Sequence, residues 1–129
     1  MTVVAVLAGG MIGTGLRLGI DALLPHGDAD FPLSTLLINV AGSFALGLLV
    51  ARVWPSAPAW LRAGLGTGVL GSFTTFSAVI ASVAVLSLAG RPLVAAAYLA
   101  LSLVVGLAAA WAGLRLGSRR PPLDPAVDE

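Results

Sequence analysis

Four long apolar stretches, separated only by short polar or proline-rich segments, limit what this chain can fold into. They cover about residues 3–24, 32–54, 60–88 and 93–116. Each is long enough to cross the hydrocarbon core of a bilayer as a helix, which takes roughly 20 residues. With 58% of its residues hydrophobic and 10% charged, the chain has too little polar surface to cover a water-soluble domain of this size. We therefore predict an all-α integral membrane protein.

The predicted organisation is one four-helix transmembrane domain, residues 1–117, followed by a polar and disordered tail, residues 118–129. The first stretch is interpreted as a permanent span, because a secretory signal carries positive charge before its apolar core and no basic residue precedes Arg17. Trp54, Trp60 and Trp111 fall near predicted span ends, where amphipathic rings favour the membrane interface. An even number of crossings predicts both termini on one side.

The third stretch has the features of an interrupted helix. Glycines recur and are followed by hydroxyl side chains within residues 64–77 (GLGTGVLGSFTTFS). Glycine lowers helix stability, and Ser and Thr side chains offer the backbone competing hydrogen bonds. We therefore predict a break near mid-membrane, where protein, water or an ion must satisfy the backbone, as in the discontinuous helices of transporters. The alternative is a continuous glycine-rich helix that packs closely on its neighbours.

Several classes of function are excluded. The chain has no cysteine, and its one histidine, His26, lies in a loop without partners at metal-ligand or catalytic spacing. Residues 66–71 (GTGVLG) match a dinucleotide-binding fingerprint, but no strand precedes them. A net charge of +1 gives no basic surface for nucleic acid. The sequence therefore predicts no enzyme, no organic cofactor and no nucleic-acid partner.

A small proton-coupled antiporter is a further alternative, because such proteins have a similar length and span count. They exchange protons through a carboxylate inside the membrane. Asp21 is the only acidic residue in the apolar stretches, and it lies near the end of the first, where we expect it to cap or pair beside the loop. The antiporter is therefore disfavoured.

The polar residues inside the apolar stretches are almost all uncharged. Thr35 and Asn39 are four apart on the second stretch, as are Tyr98 and Ser102 on the fourth, so each pair shares one helix face. Hydroxyl and amide donors can replace water around an anion without trapping it through a fixed charge. Two polar stripes beside a broken helix predict a narrow, lined path, the alternative being that each hydroxyl bonds to its own helix backbone.

Three motifs, in order and on the corresponding spans, resemble those of the Fluc family of fluoride channels, also called CrcB. They are residues 9–17 (GGMIGTGLR), 35–44 (TLLINVAGSF) and 71–77 (GSFTTFS). The resemblance extends from Gly9 to about Ser102, nearly the whole chain. It implies a fluoride-selective channel that exports fluoride passively across the bacterial cytoplasmic membrane and gives fluoride resistance.

The resemblance also implies an antiparallel dimer of oppositely inserted subunits with two fluoride pores. A structural sodium ion would lie at the dimer centre, held by the backbone carbonyls of Gly71 and Thr74 from both chains. Asn39 would donate to fluoride in the pore, and Phe76 would present the edge of its ring. Arg17 would lie at the aqueous vestibule. The remaining polar track would comprise Thr35, Ser77, Tyr98 and Ser102.

Two positions depart from the family pattern. Val79 stands where a second pore phenylalanine is usual, and Ser72 replaces the second glycine before the paired threonines. Charge is also uneven, because the side shared by the termini and the loop 54–60 would hold Arg52, Arg62, Arg115, Arg119 and Arg120, against Arg17 and Arg91 opposite. Positive charge favours the cytoplasm, so both termini are predicted to be cytoplasmic. The alternative function is therefore a non-conducting or partner-dependent subunit of a heterodimer with an oppositely inserted paralogue.

Overall fold

The computed structural model describes residues 1–25, 27 and 30–118, and all regular structure within them is helical. That part of the chain has four helical spans long and apolar enough to cross a membrane: Thr2–Leu23 (α1), Leu33–Arg52 (α2), Ala59–Leu88 and Pro92–Gly117 (α6). Each begins and ends within about two residues of its predicted bounds. The chain is therefore an all-α, multi-pass membrane protein, as predicted. The predicted tail beyond residue 118 lies outside the described residues.

The third span is interrupted in its middle. Its first half consists of α3 (Ala59–Ala63), a π-helix (Gly64–Leu70) and the short α4 (Gly71–Phe73), and its second half is α5 (Phe76–Leu88). Thr74 and Thr75 between them have extended backbone, with φ and ψ of -83° and 152° for Thr74 and of -151° and 118° for Thr75. The predicted break is confirmed, and the alternative of a continuous helix is wrong.

The glycine run before the break remains helical because it packs directly on α1. A Cβ on Gly9 or Gly13 of α1 would overlap the backbone carbonyl oxygens of Gly64 and Val69. Small residues allow this backbone-to-backbone contact, which is a common means of joining helices inside a membrane. The break therefore lies after the glycines, at the two threonines.

α2 and α6 form a second closely packed pair. Gly47 of α2 and Gly113 of α6 lie so close to the opposite helix that a methyl group on either would overlap its backbone. Leu36, Val79 and Tyr98, from α2, α5 and α6, form a buried hydrophobic cluster. α5 thus packs with the α2–α6 pair, whereas the first half of the third span packs with α1. The break is where the third span passes from one pair to the other.

Candidate ion pathway

One side chain of α2 fixes the break in the third span. Asn39 Nδ2 donates to the Thr75 carbonyl oxygen at 3.0 Å, and Asn39 Oδ1 accepts from the Thr75 amide at 2.8 Å. The side-chain amide therefore gives this extended residue the pair of hydrogen bonds that a neighbouring strand would give it. The second Nδ2 hydrogen remains for another acceptor.

The Asn39 contact also changes the bonding of the backbone around the break. In a continuous α-helix, the amides of Thr75 and Ala78 would donate to the carbonyls of Gly71 and Thr74. The Thr75 amide donates to Asn39 instead, and the Ala78 amide donates to Thr75 Oγ1 at 3.2 Å. The carbonyls of Gly71 and Thr74 thereby lose their helical donors. Backbone oxygens of this kind can bind a hard cation such as sodium.

A cavity of about 310 Å³, the Phe76 cavity, opens beside Asn39. Asn39, Ser43, Thr75 and Ser102 are polar residues of its wall, although the Ser102 hydroxyl oxygen itself is buried, and Phe76 and Val79 lie among its apolar residues. The side chain of Phe76 is 63% exposed, so its ring is accessible to whatever enters the cavity or packs over it. The cavity thus combines hydrogen-bond donors with an aromatic ring whose edge carries partial positive charge.

A cavity of about 430 Å³, the Arg17 cavity, shares Thr75 with the first as a lining residue. Its polar lining consists of Arg17, Asp21, Thr35, Thr75 and Ser77. Thr75 lines both cavities and divides the predicted polar stripe of α2, because Thr35 faces the Arg17 cavity and Asn39 faces the Phe76 cavity. The structure therefore brings predicted residues of α1, α2 and α5 together around Thr75, and we call the backbone of Thr75 with the Asn39 side chain the Thr75 neck.

Asp21 pairs beside the loop, as the sequence predicts. Its Oδ1 accepts a hydrogen bond of 2.7 Å from Ser34 Oγ at the start of α2, and Ser34 is fully buried. The bond joins the end of α1 to α2 at the wall of the Arg17 cavity. The carboxylate is thus held by a neighbouring helix.

The second predicted stripe, on α6, contains two buried hydroxyls, those of Tyr98 and Ser102. Tyr98 is fully buried, and its ring meets Phe31 edge to face, with centroids 5.4 Å apart. Its hydroxyl lies near those of Ser82 and Ser102. Within the described residues, however, neither the Tyr98 hydroxyl nor Ser102 Oγ completes a hydrogen bond. Buried hydroxyls of this kind cost free energy unless water or an ion bonds to them.

Known proteins resemble this chain along nearly its whole length. The family model described as "CrcB-like protein, Camphor Resistance (CrcB)" matches residues 4–114. The fluoride-specific ion channel FluC of Deinococcus radiodurans is 46% identical over 117 residues, covering 86% of this chain and 90% of the relative. The fluoride-specific ion channel FluC 2 of Geobacillus kaustophilus is 41% identical over 116 residues, covering 88% of this chain and 90% of the relative. The chain belongs to the CrcB family of fluoride-specific ion channels.

A third CrcB relative, the fluoride-specific ion channel FluC of Rhodospirillum centenum, is 44% identical over 119 residues, covering 88% of this chain and 93% of the relative. The relatives are named as channels, so the chain is not an enzyme, as predicted. The range matched by the family model, residues 4–114, includes both halves of the broken span and the residues of both cavities.

The two departures from the CrcB pattern lie in different surroundings. Val79 is 2% exposed, packs with Leu36 and Tyr98, and lines the Phe76 cavity. A valine there leaves the cavity more room than a phenylalanine ring would. Ser72 instead faces α1, since a Cβ on Gly10 would lie 3.3 Å from Ser72 Oγ. The serine is therefore accommodated between helices and not in either cavity.

Thr75 is the functional candidate that the sequence analysis did not single out. A local signal existed, because a threonine directly before a helical segment is a favoured N-cap. Thr75 caps α5 in this way, and its Oγ1 also lies 3.0 Å from Ser77 Oγ. Its position at the neck depends on Asn39, which is 36 residues away in sequence. No local pattern encodes that contact.

Proposed function

We propose that this chain conducts fluoride passively along the path formed by the Arg17 cavity, the Thr75 neck and the Phe76 cavity. The observation that supports this most is the neck itself, where Asn39 holds an extended backbone between two cavities. The donors at the neck are uncharged, so they can replace the hydration of a small anion without trapping it. The names of the relatives supply the identity of the ion.

Each residue of the path has a proposed role. Arg17 attracts the anion into its cavity, where Thr35 and Ser77 offer hydroxyl donors. The free Nδ2 hydrogen of Asn39 then donates to fluoride at the neck, and Phe76 presents its ring edge beyond it. The unpartnered hydroxyls of Tyr98 and Ser102 complete the track.

The proposed unit is an antiparallel dimer with two pores. The carbonyls of Gly71 and Thr74 have lost their helical donors in the middle of a membrane span, where lipid cannot bond to them. Gly71 is exposed, and beyond its own helical turn the nearest described atom to a methyl group there would be the Gly66 carbonyl oxygen, at 3.6 Å. A second, oppositely inserted copy packed over this face would shield the carbonyls from lipid.

A structural sodium ion fits this dimer centre. The carbonyls of Gly71 and Thr74 from both chains would hold it, and hard oxygen donors are the ligands that such a cation prefers. The ion would supply the positive charge that these carbonyl dipoles need inside a membrane. The proposed location is the bacterial cytoplasmic membrane, with both termini cytoplasmic, because Arg52, Arg62 and Arg115 lie at the end of the bundle that carries the N-terminus.

The test is fluoride efflux from liposomes that contain only this chain, read with a fluoride electrode, with chloride measured in parallel. We expect fluoride release without chloride release and without any pH gradient. Release that requires a pH gradient would support the antiporter instead, with Asp21 as its carboxylate. Absence of release from folded protein would contradict conduction by this chain alone.

The second candidate is a partner-dependent subunit of a heterodimer. The observation that favours it is Val79, which leaves the Phe76 cavity without the second ring usual in the family. An oppositely inserted paralogue would then supply that ring. This candidate would be established if the chain alone gave no fluoride efflux and the chain together with the paralogue did. Absence of efflux from both together would exclude it.

A further inference from the structure

A third cavity lies at the opposite end of the bundle from Arg17. It has a volume of about 380 Å³ and is lined by Leu46, Trp54, Arg62, Ala63, Gly66 and Thr67. We call it the Arg62 cavity. Arg17 lies near the end of α1, whereas Arg62 lies at the start of the third span, so the single crossing by α2 between them places them on opposite sides of the membrane.

The Arg62 cavity shares a lining residue with the proposed path. Leu46 lines both it and the Phe76 cavity, just as Thr75 lines both the Phe76 and Arg17 cavities. The shared lining residues therefore order the three cavities, with the Phe76 cavity between the Arg17 and Arg62 cavities. Each terminal cavity contains an arginine.

The side chains of the Arg62 cavity favour an anion. The Trp54 indole lies over Gly66, where a Cβ would be 3.1 Å from its Cζ2 atom. The adjacent Nε1 is buried and has no hydrogen-bond partner within the described residues. An indole N–H and a guanidinium can only donate hydrogen bonds. Among the described residues no carboxylate lines the cavity, and none pairs with Arg62.

We infer that Trp54, Arg62 and Thr67 form an anion site that receives fluoride at the second mouth of the channel. This inference rests on the proposed function, to which it adds three residues. Arg62 raises the local fluoride concentration through its charge. The Trp54 N–H and the Thr67 hydroxyl then hold the ion before it passes Leu46 into the Phe76 cavity.

The flux test compares Arg62→Gln with Arg52→Gln in liposomes. Arg52 is a matched control, because it is exposed, lies at the same end of the bundle and does not line the cavity. At low fluoride and low ionic strength, we expect Arg62→Gln to lower the efflux rate roughly tenfold, which is within the range of electrostatic steering. An impermeant salt should reduce that deficit, since it screens exposed charge. Arg62→Lys should retain most of the rate.

Equal rates for the two glutamine variants would overturn the inference. A wild-type chain without flux would contradict the proposed function instead, so a binding measurement independent of flux is also needed. With Trp60 and Trp111 replaced by phenylalanine, Trp54 is the only tryptophan left. Sodium fluoride should then change the emission of Trp54 in a phosphate-free detergent, and adding Arg62→Gln should weaken that response.

Two outcomes of the fluorescence titration would contradict a fluoride site. An emission that does not respond to fluoride would mean that the indole N–H does not bind the ion. A response to added phospholipid but not to fluoride would assign the cavity to a lipid phosphate. Trp54→Phe supplies a further check, because it removes the N–H donor and keeps a smaller aromatic ring at this position. It should lower the efflux rate at low fluoride and leave thermal stability near that of the wild type.

Discussion

The side-chain amide of Asn39 has both a structural role and a proposed role in conduction. Its oxygen and one Nδ2 hydrogen hold the backbone of Thr75, and the other hydrogen is available to the ion. A buried amide in a membrane needs such partners, because lipid supplies none. The same residue therefore shapes the neck and presents a donor there.

Asn39→Ala should lower both stability and fluoride efflux. The Thr75 amide and carbonyl would lose their partners, at a cost of about 1–3 kcal/mol each. Asn39→Asp should keep the acceptor for the Thr75 amide but set a carboxylate oxygen against the Thr75 carbonyl, so it too should lower both stability and fluoride efflux. The control is Ser43→Ala, four residues along α2 on the same cavity. Liposome efflux and thermal unfolding in detergent measure both effects, and wild-type flux from either Asn39 variant would refute the assignment of the neck.

The hydroxyls of Tyr98 and Ser102 should affect flux and stability in opposite directions. Both are buried without a partner in the described residues, so Tyr98→Phe and Ser102→Ala should leave the unfolding temperature unchanged or raised. Both variants should lower fluoride efflux, because the track loses a donor. Ser87→Ala, which removes a hydroxyl bonded to the Val83 carbonyl on exposed α5 surface, should not change efflux. Unaltered efflux from both track variants would exclude these hydroxyls from the path.

At the scale of elements, α1 and the π-helix depend on direct backbone contact. Gly13→Ala should destabilise the chain by about 1–3 kcal/mol, because its methyl group would overlap the Val69 carbonyl oxygen. Gly15→Ala, two residues along the same helix, meets no atom within 4 Å and should be neutral or slightly stabilising. Thermal unfolding in detergent compares the two. Equal stability would show that α1 is not held in this way.

The sequence predicts some of these elements better than others. The four spans follow from apolar length, and the interruption of the third follows from its glycines and hydroxyls. The position of the interruption, at Thr74 and Thr75, does not follow from the sequence, because close packing on α1 keeps the glycine run helical. Among site residues, the Thr35–Asn39 stripe follows from helical spacing, but its division between two cavities depends on the long-range contact with Thr75. Neither the neck nor the Arg62 cavity has a local signature.

At the scale of the whole molecule, the proposed dimer predicts a different effect for two exposed glycines. Gly71→Ala should fold as a single chain, because its methyl group has room, but should weaken the dimer by crowding the face proposed to meet a partner. Gly19→Ala, which also has open space around it, should not weaken it. Light scattering in detergent measures the mass of each variant.

Sodium should stabilise the same dimer. Replacing it with a large organic cation removes the ion proposed to satisfy the carbonyls of Gly71 and Thr74, so wild-type protein should shift toward monomer. A dimer equally stable without sodium, and unchanged by Gly71→Ala, would contradict the proposed centre.

The central claim is that this chain alone lets fluoride move passively along the broken third span. The most direct measurement is the current through a planar bilayer that contains only this chain, with fluoride at different concentrations on the two sides. The account predicts a current that reverses at the equilibrium potential of fluoride, is unaffected by a pH gradient, and is absent when chloride replaces fluoride. No current, or a reversal potential that follows the pH gradient, would contradict it.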